Sequence, residues 1–323
     1  MGYKMDLLKE LIGCKSIGIA GHIRPDGDCI GSVMSTYLYL RKALPEAKVI
    51  PMIEKPTEEY SLIRDIGDIR SDFDPGVDVF DAFICLDCGS LDRLGDAGKY
   101  FDAAAKKIVI DHHISNDGFG DVSLIDGGAS STCELLYGVM DKDKLDADIA
   151  LALYIGIIHD TGILQYSCTS PKTLRVAADL IEFGFDFTDV IEKTFYEKTR
   201  IQNEMLGRGL MESITFADGQ CIVSKIDKKT MEFCGAKPSD LDGIVNQLRY
   251  TKGVEVAIFM YEIEPLTYKV SLRSKGVVDV AKIAKFYDGG GHVRAAGCTM
   301  HGTFHDCVNN ISDSIMIQLE KQG

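Results

Sequence analysis

A chain of 323 residues, 46% apolar and 26% charged, can bury a full core and suits two domains better than one. Its net charge of −14 argues against coating long nucleic acid, which needs many cations against phosphates, but not against a small phosphorylated substrate. No run approaches the roughly 18 apolar residues of a spanning helix, and Met1 to Gly13 lacks the apolar centre of a signal peptide, so no membrane partner is expected. Ten scattered cysteines hold a single CxxC, Cys85 and Cys88, and no zinc pattern; reduced thiols in a cytoplasm are expected, with these two read as apolar packing.

In chain order, residues 4–14 predict a short amphipathic helix and Ser16 to Ala20 a first strand. The stretch 21–32, GHIRPDGDCIGS, then reads as a loop leading into a helix over 29–44. Pro45 breaks that helix before a second strand, Lys48 to Ile53. Residues 54–78 suggest loops and a short helix, Asp81 to Asp87 a third strand, and Lys107 to Asp111 a fourth. A helix from about Asp146 to Ile158 runs into Asp160-Thr161-Gly162, and another spans 171–183. Apolar strands alternating with helices predict an α/β fold, a doubly wound and mostly parallel sheet. After a charged helical connector at 191–212 the character changes. Ile214 to Ile226, Val254 to Ile263 and Tyr268 to Arg273 read as strands, with helices near 239–249 and 279–286. The expected organisation is a first domain over 1–190 and a smaller α/β domain over 213–323.

Ligands of such a sheet sit outside the carboxyl ends of its strands. There the sequence delivers four acidic or histidine clusters: His22 with Asp26 and Asp28, then Asp87, then Asp111-His112-His113, then Asp160. Asp26 and Asp28, two apart in an extended loop, would point the same way and repel without a cation between them. If His22, Asp26, Asp28, Asp87, His112 and Asp160 converge, four carboxylates and two imidazoles match two divalent cations. One bridging carboxylate leaves coordination positions open, as in catalytic sites. Carboxylate and imidazole ligands without thiolate favour manganese or magnesium, with zinc a poorer match. Two ions about 3.5–4 Å apart can bridge a hydroxide for in-line attack on phosphorus. His113, next along the chain from His112, is assigned to the scissile phosphate or leaving oxygen, and Asp111 to orienting an imidazole.

GHIRPDGDCIGS, LDCGS, DHHIS and DTG together resemble the four motifs of the DHH phosphoesterase family. The second half is similar to the family's associated substrate-binding domain, through SLRS at 271–274 and GGGHVRAAG at 289–297. The resemblance implies His22 and Asp26 on one ion, Asp28, His112 and Asp160 on the other, and Asp87 bridging. It also implies a phosphate cradle: Gly290 and Gly291 offering amides in a nest-like turn, with Arg273, Ser274 and His292 beside them. After DTG, Gln165 and Cys168 depart from the family pattern, which bears on substrate holding on that side.

Among family members, the stand-alone type that degrades RNA of two to five nucleotides to 5′-mononucleotides, or 3′-phosphoadenosine 5′-phosphate to AMP, fits best. Linear or cyclic di-adenylate hydrolysis is the nearest alternative, and inorganic pyrophosphatases of the family lack GGGH. A non-catalytic nucleotide sensor would be marked by a lost ligand, and all six are present. A homodimer is the general expectation for such chains and rests on no residue here.

Overall fold

The computed structural model describes residues 5–320, so Lys4 of the expected first helix lies outside them. The chain divides into two compact units, Met1–Glu197 and Lys198–Gly323, and the segment 191–212 is shared between them.

The first unit holds β1 (Ser16–Ala20), β2 (Lys48–Met52), β3 (Ala82–Leu86), β4 (Lys107–Asp111) and β5 (Val122–Ile125) in one all-parallel sheet of order β2-β1-β3-β4-β5. Its helices are α1 (Leu7–Glu10), α2 (Gly27–Ala43), α3 (Gly98–Ala103), α4 (Thr132–Val139), α5 (Ala147–Asp160), α6 (Pro171–Ile181) and α7 (Phe187–Ile191). Strands buried on both faces need apolar side chains at every position, which is why AFICL of β3 is buried throughout. Ile84 and Leu86 face the core under α2 and α5, while Phe83 and Cys85 face a second core with Phe80 and Phe101. Gly31 allows α2 and α5 to cross closely, since a side-chain carbon there would sit 2.5 Å from the Ala152 carbonyl. The strand order reverses between β1 and β3, the point outside whose carboxyl ends ligands of such sheets bind.

The second unit is a mixed sheet of order β10-β11-β9-β8-β7-β6. It comprises β6 (Ile214–Phe216), β7 (Cys221–Ile226), β8 (Val256–Glu264), β9 (Thr267–Ser274), β10 (Gly290–His292) and β11 (Ala295–His301). Its helices are α8 (Arg200–Met211), α9 (Lys228–Cys234), α10 (Ile244–Arg249), α11 (Val280–Phe286) and α12 (Phe304–Glu320). Val256, Ile258 and Met260 of β8 join one core with α11 and α12, and Ala257 and Phe259 join the other with α8 and α10. The strand expected over 214–226 is a hairpin, and the helix expected over 239–249 is interrupted at Gly243, whose φ of +87° no helix accommodates. No described helix is long and apolar enough to cross a membrane.

Candidate metal centre

Six side chains from four places in the sequence meet at the carboxyl ends of β1, β3 and β4. His22 follows β1, and its Nδ1–H donates to the Ile23 carbonyl (2.8 Å), which turns Nε2 toward Asp26 (3.6 Å) and Asp87 (3.5 Å). His112 follows β4, its Nε2 lying 3.0 Å from Asp160, 3.5 Å from Asp87 and 3.9 Å from Asp28. Asp87 is common to both groups: Oδ2 faces His22 and Oδ1 faces His112. The chain leaves β3 at this aspartate with φ +51°, a left-handed conformation that costs energy and recurs at functional sites.

The parallel placement of Asp26 and Asp28 expected from an extended loop is not what forms. Asp26 is the N-cap of α2, its Oδ1 accepting the amides of Asp28 and Cys29 (both 3.1 Å), so the helix starts at Gly27 and Asp28 is already on it. Helical neighbours two apart do not face each other. Asp26 therefore goes to the His22 side and Asp28 to the His112 side.

Asp160 ends α5, and the chain then makes a left-handed turn through Gly162, Ile163 and Leu164 (φ +55°, +57°, +63°). Buried Thr161 holds it, donating to the Ile157 carbonyl (2.6 Å) and accepting the Leu164 amide (3.0 Å). Gln165 and Cys168 lie exposed beyond, the Cys168 thiol reaching the Asp160 carbonyl at 3.6 Å. His159 stays apart, its half-buried ring between Tyr60 and Phe195.

His113 Nδ1–H donates to Asp111 Oδ1 (2.7 Å), and the imidazole is a third exposed, so its far edge reaches solvent. Asp111 is held in turn by Asn116, whose amide bridges Asp111 Oδ2 (2.7 Å) and the Cys88 carbonyl (3.0 Å).

The electrostatics of this cluster suit cations. Burial, then the charges of Asp87 and Asp160, push the Asp28 carboxyl well above its usual range. Burial opposes charge on His22 and His112, but the carboxylates against them outweigh it and push both imidazoles up to about 10. Among the described residues, the charged partners of these buried carboxylates are imidazoles alone. Three groups, Asp28-His112-Asp160, Asp87-His112-His113 and His22-Cys29-Asp87, have ligand atoms close enough to hold a metal ion. The thiol of Cys29 was not foreseen; burial keeps it protonated and thus a poor ligand beside imidazole and carboxylate. Sequence reasoning also missed Thr132, which donates to Asp87, and Asn116. The signal for Asn116 was its position directly after the DHHIS motif, five residues from Asp111.

In the second unit, Arg273, Ala295 and His292 lie on one rung of the sheet, paired across β9, β11 and β10. Directly opposed residues share a face, so Arg273 and His292 flank the small Ala295. Arg273 is steadied by Asn246 Oδ1 (3.0 Å) and the Leu272 carbonyl (3.0 Å). Ser274 does not join them: successive strand residues point to opposite faces, and its buried hydroxyl donates to the Val278 carbonyl (2.7 Å). Gly290 and Gly291 form strand pairs with Gly297 and Ala296, and not the nest-like turn expected of GGG. Gly291 has φ +142°, and a side-chain carbon there would lie within 2.4 Å of the Ala295 carbonyl, so only glycine closes this hairpin. The same sheet face opens into a cavity of about 830 Å³ whose lining includes Arg273, Ser271, Lys269, Tyr261 and Asp242, a volume suited to a small ligand. Lys269 and Ser271 were legible as the period-two partners of Arg273.

A family model described as "DHH family, N-terminal domain" matches residues 16–157, and one described as "DHHA1 domain" matches 218–318. The bifunctional oligoribonuclease and PAP phosphatase NrnA of Bacillus subtilis is 27% identical, over 92% of this chain and 93% of that protein. Its namesake from Thermus thermophilus is 29% identical, over 99% and 96%. The crystal structure of an exopolyphosphatase-related protein from Bacteroides fragilis superposes with a TM-score of 0.86 at 23% identity, covering 96% of this chain and 94% of that one, which establishes a shared fold. The chain carries an N-terminal DHH domain followed by a DHHA1 domain.

Proposed function

We propose that this protein is a phosphoesterase that cleaves RNA of two to five nucleotides to 5′-mononucleotides and removes a phosphate from 3′-phosphoadenosine 5′-phosphate. The observation that carries the reading is the pair of ligand groups sharing Asp87: His22 with Asp26 on one side, His112 with Asp28 and Asp160 on the other. Relatives that match this chain nearly end to end bear names for both activities. Two divalent cations held there would activate water and neutralise charge on phosphorus; oxygen and imidazole donors suit manganese first, magnesium second.

The chain's own residues divide the remaining work. His113, aligned by Asp111, presents its outer edge where a phosphate or leaving oxygen would lie. In the second unit, Arg273 and His292 donate to substrate phosphate from one rung, and the open face beside them takes the nucleoside. The acidic net charge of −14 agrees with small nucleotide substrates more than with long nucleic acid.

Purified protein is to be assayed on labelled di- and pentanucleotides and on 3′-phosphoadenosine 5′-phosphate, with manganese and with EDTA. Release of mononucleotides that stops in EDTA is expected. Equal rates in EDTA refute the metal chemistry, and faster turnover of inorganic pyrophosphate than of RNA refutes the substrate class.

A further inference from the structure

Thr132 is fully buried at the first position of α4, where a helix amide has no partner one turn back. Its amide and that of Cys133 donate to the two oxygens of Asp28 (2.7 and 3.1 Å). Its hydroxyl donates to Asp87 Oδ1 (3.2 Å), so one residue touches two of the six candidate ligands. The far side of Asp28 is closed by α5, where a side-chain carbon at Gly156 would come within 2.6 Å of Asp28 Oδ1. Asp28 is thereby fixed by backbone and packing. Asp87 is not: its imidazole neighbours stand at 3.5–3.6 Å, and the short donor to its carboxylate is the Thr132 hydroxyl.

We infer that Thr132 is a positioning residue for the metal centre: its hydroxyl sets the rotation of the Asp87 carboxylate so that one oxygen faces each half of the site. A carboxylate that bridges two ions must hold that orientation before they arrive, or binding the first ion also has to order it. The placement of Thr132 depends in turn on Glu134, buried in the same helix. Its carboxylate accepts from Ser130 Oγ and Thr173 Oγ1 (both 2.7 Å) and pairs with Lys172 (3.0 Å), tying the start of α4 to the start of α6.

The inference rests on the two-cation reading, and its test keeps the two apart. EDTA-stripped parent, Thr132→Val and Thr132→Ser are titrated with Mn2+ by calorimetry. The valine variant keeps the shape without the hydroxyl, the serine variant the hydroxyl without the methyl. Expected is manganese binding weakened about tenfold or more in Thr132→Val and within about threefold of the parent in Thr132→Ser. Superimposable parent and valine titrations overturn the role of Thr132 alone, as does a serine variant as weak as the valine one. A parent that binds no manganese overturns the two-cation reading itself. If the valine variant is not recovered folded, Thr132→Ala carries the same expectation and the same refutation.

Discussion

The two units use a sheet in opposite ways. In the first, β1, β3 and β4 are almost wholly buried and gather carboxylates at their carboxyl ends, where Asp28, Asp87 and Asp111 are almost wholly enclosed. In the second, a sheet with alternating strands exposes one stretch of face, and Arg273, Lys269 and Tyr261 line an open cavity there. Enclosed charges are costly unless compensated, and the first site's carboxylates are of the kind that bound cations would compensate. Exposed donors cost little and need only correct spacing, so the second suits recognition of substrate. On the proposed reading, chemistry and binding would be carried by surfaces with different energetics.

The largest effect that could break this division is at Asp87. Asp87→Ala should lower turnover by about a thousandfold or more, as loss of a group that stabilises transition-state charge does, while circular dichroism stays at the parent's. Retained turnover would mean the two ligand groups act without a shared residue. Arg273→Ala and His292→Ala should sharpen the contrast from the other side. Each is expected to raise KM about tenfold to a hundredfold, the worth of one charged hydrogen bond, with manganese content unchanged by elemental analysis. Unchanged KM in both removes the substrate role of that rung.

The smallest effect concerns Glu134. Burial works against its charge, but the bonds from Thr173, Ser130 and Lys172 outweigh it and hold its carboxyl below the ordinary 4.5. A depressed acid stabilises the fold above its unfolded value and loses that contribution as pH falls through the folded one. Glu134→Gln should therefore cost about 1–3 kcal/mol in urea denaturation at pH 7, and the gap should narrow below about pH 4.5. A gap independent of pH would show that shape and not charge matters at this position.

Much of the first unit was legible because its signals are local. β1 and β4 are continuous apolar runs with clear ends, and their boundaries fall where the sequence puts them. β5 escaped because it is a four-residue, half-exposed edge strand without a marked run. The two-apart argument for Asp26 and Asp28 failed although its remedy was present: an aspartate before Gly27 is a helix N-cap signal. Thr132 was out of reach for another reason, since its contact with Asp28 spans 104 positions and no periodicity encodes it. GGGH read as a turn because glycine leaves no pattern; β11, beginning three residues after His292, makes it a strand.

The most direct test counts metal. EDTA-treated protein, reloaded with Mn2+ and freed of excess, is analysed for manganese per chain alongside Asp87→Asn. Two ions in the parent and at most one in the variant is the predicted result. Two ions retained without the Asp87 carboxylate, or none in the parent, would contradict a centre built around that residue.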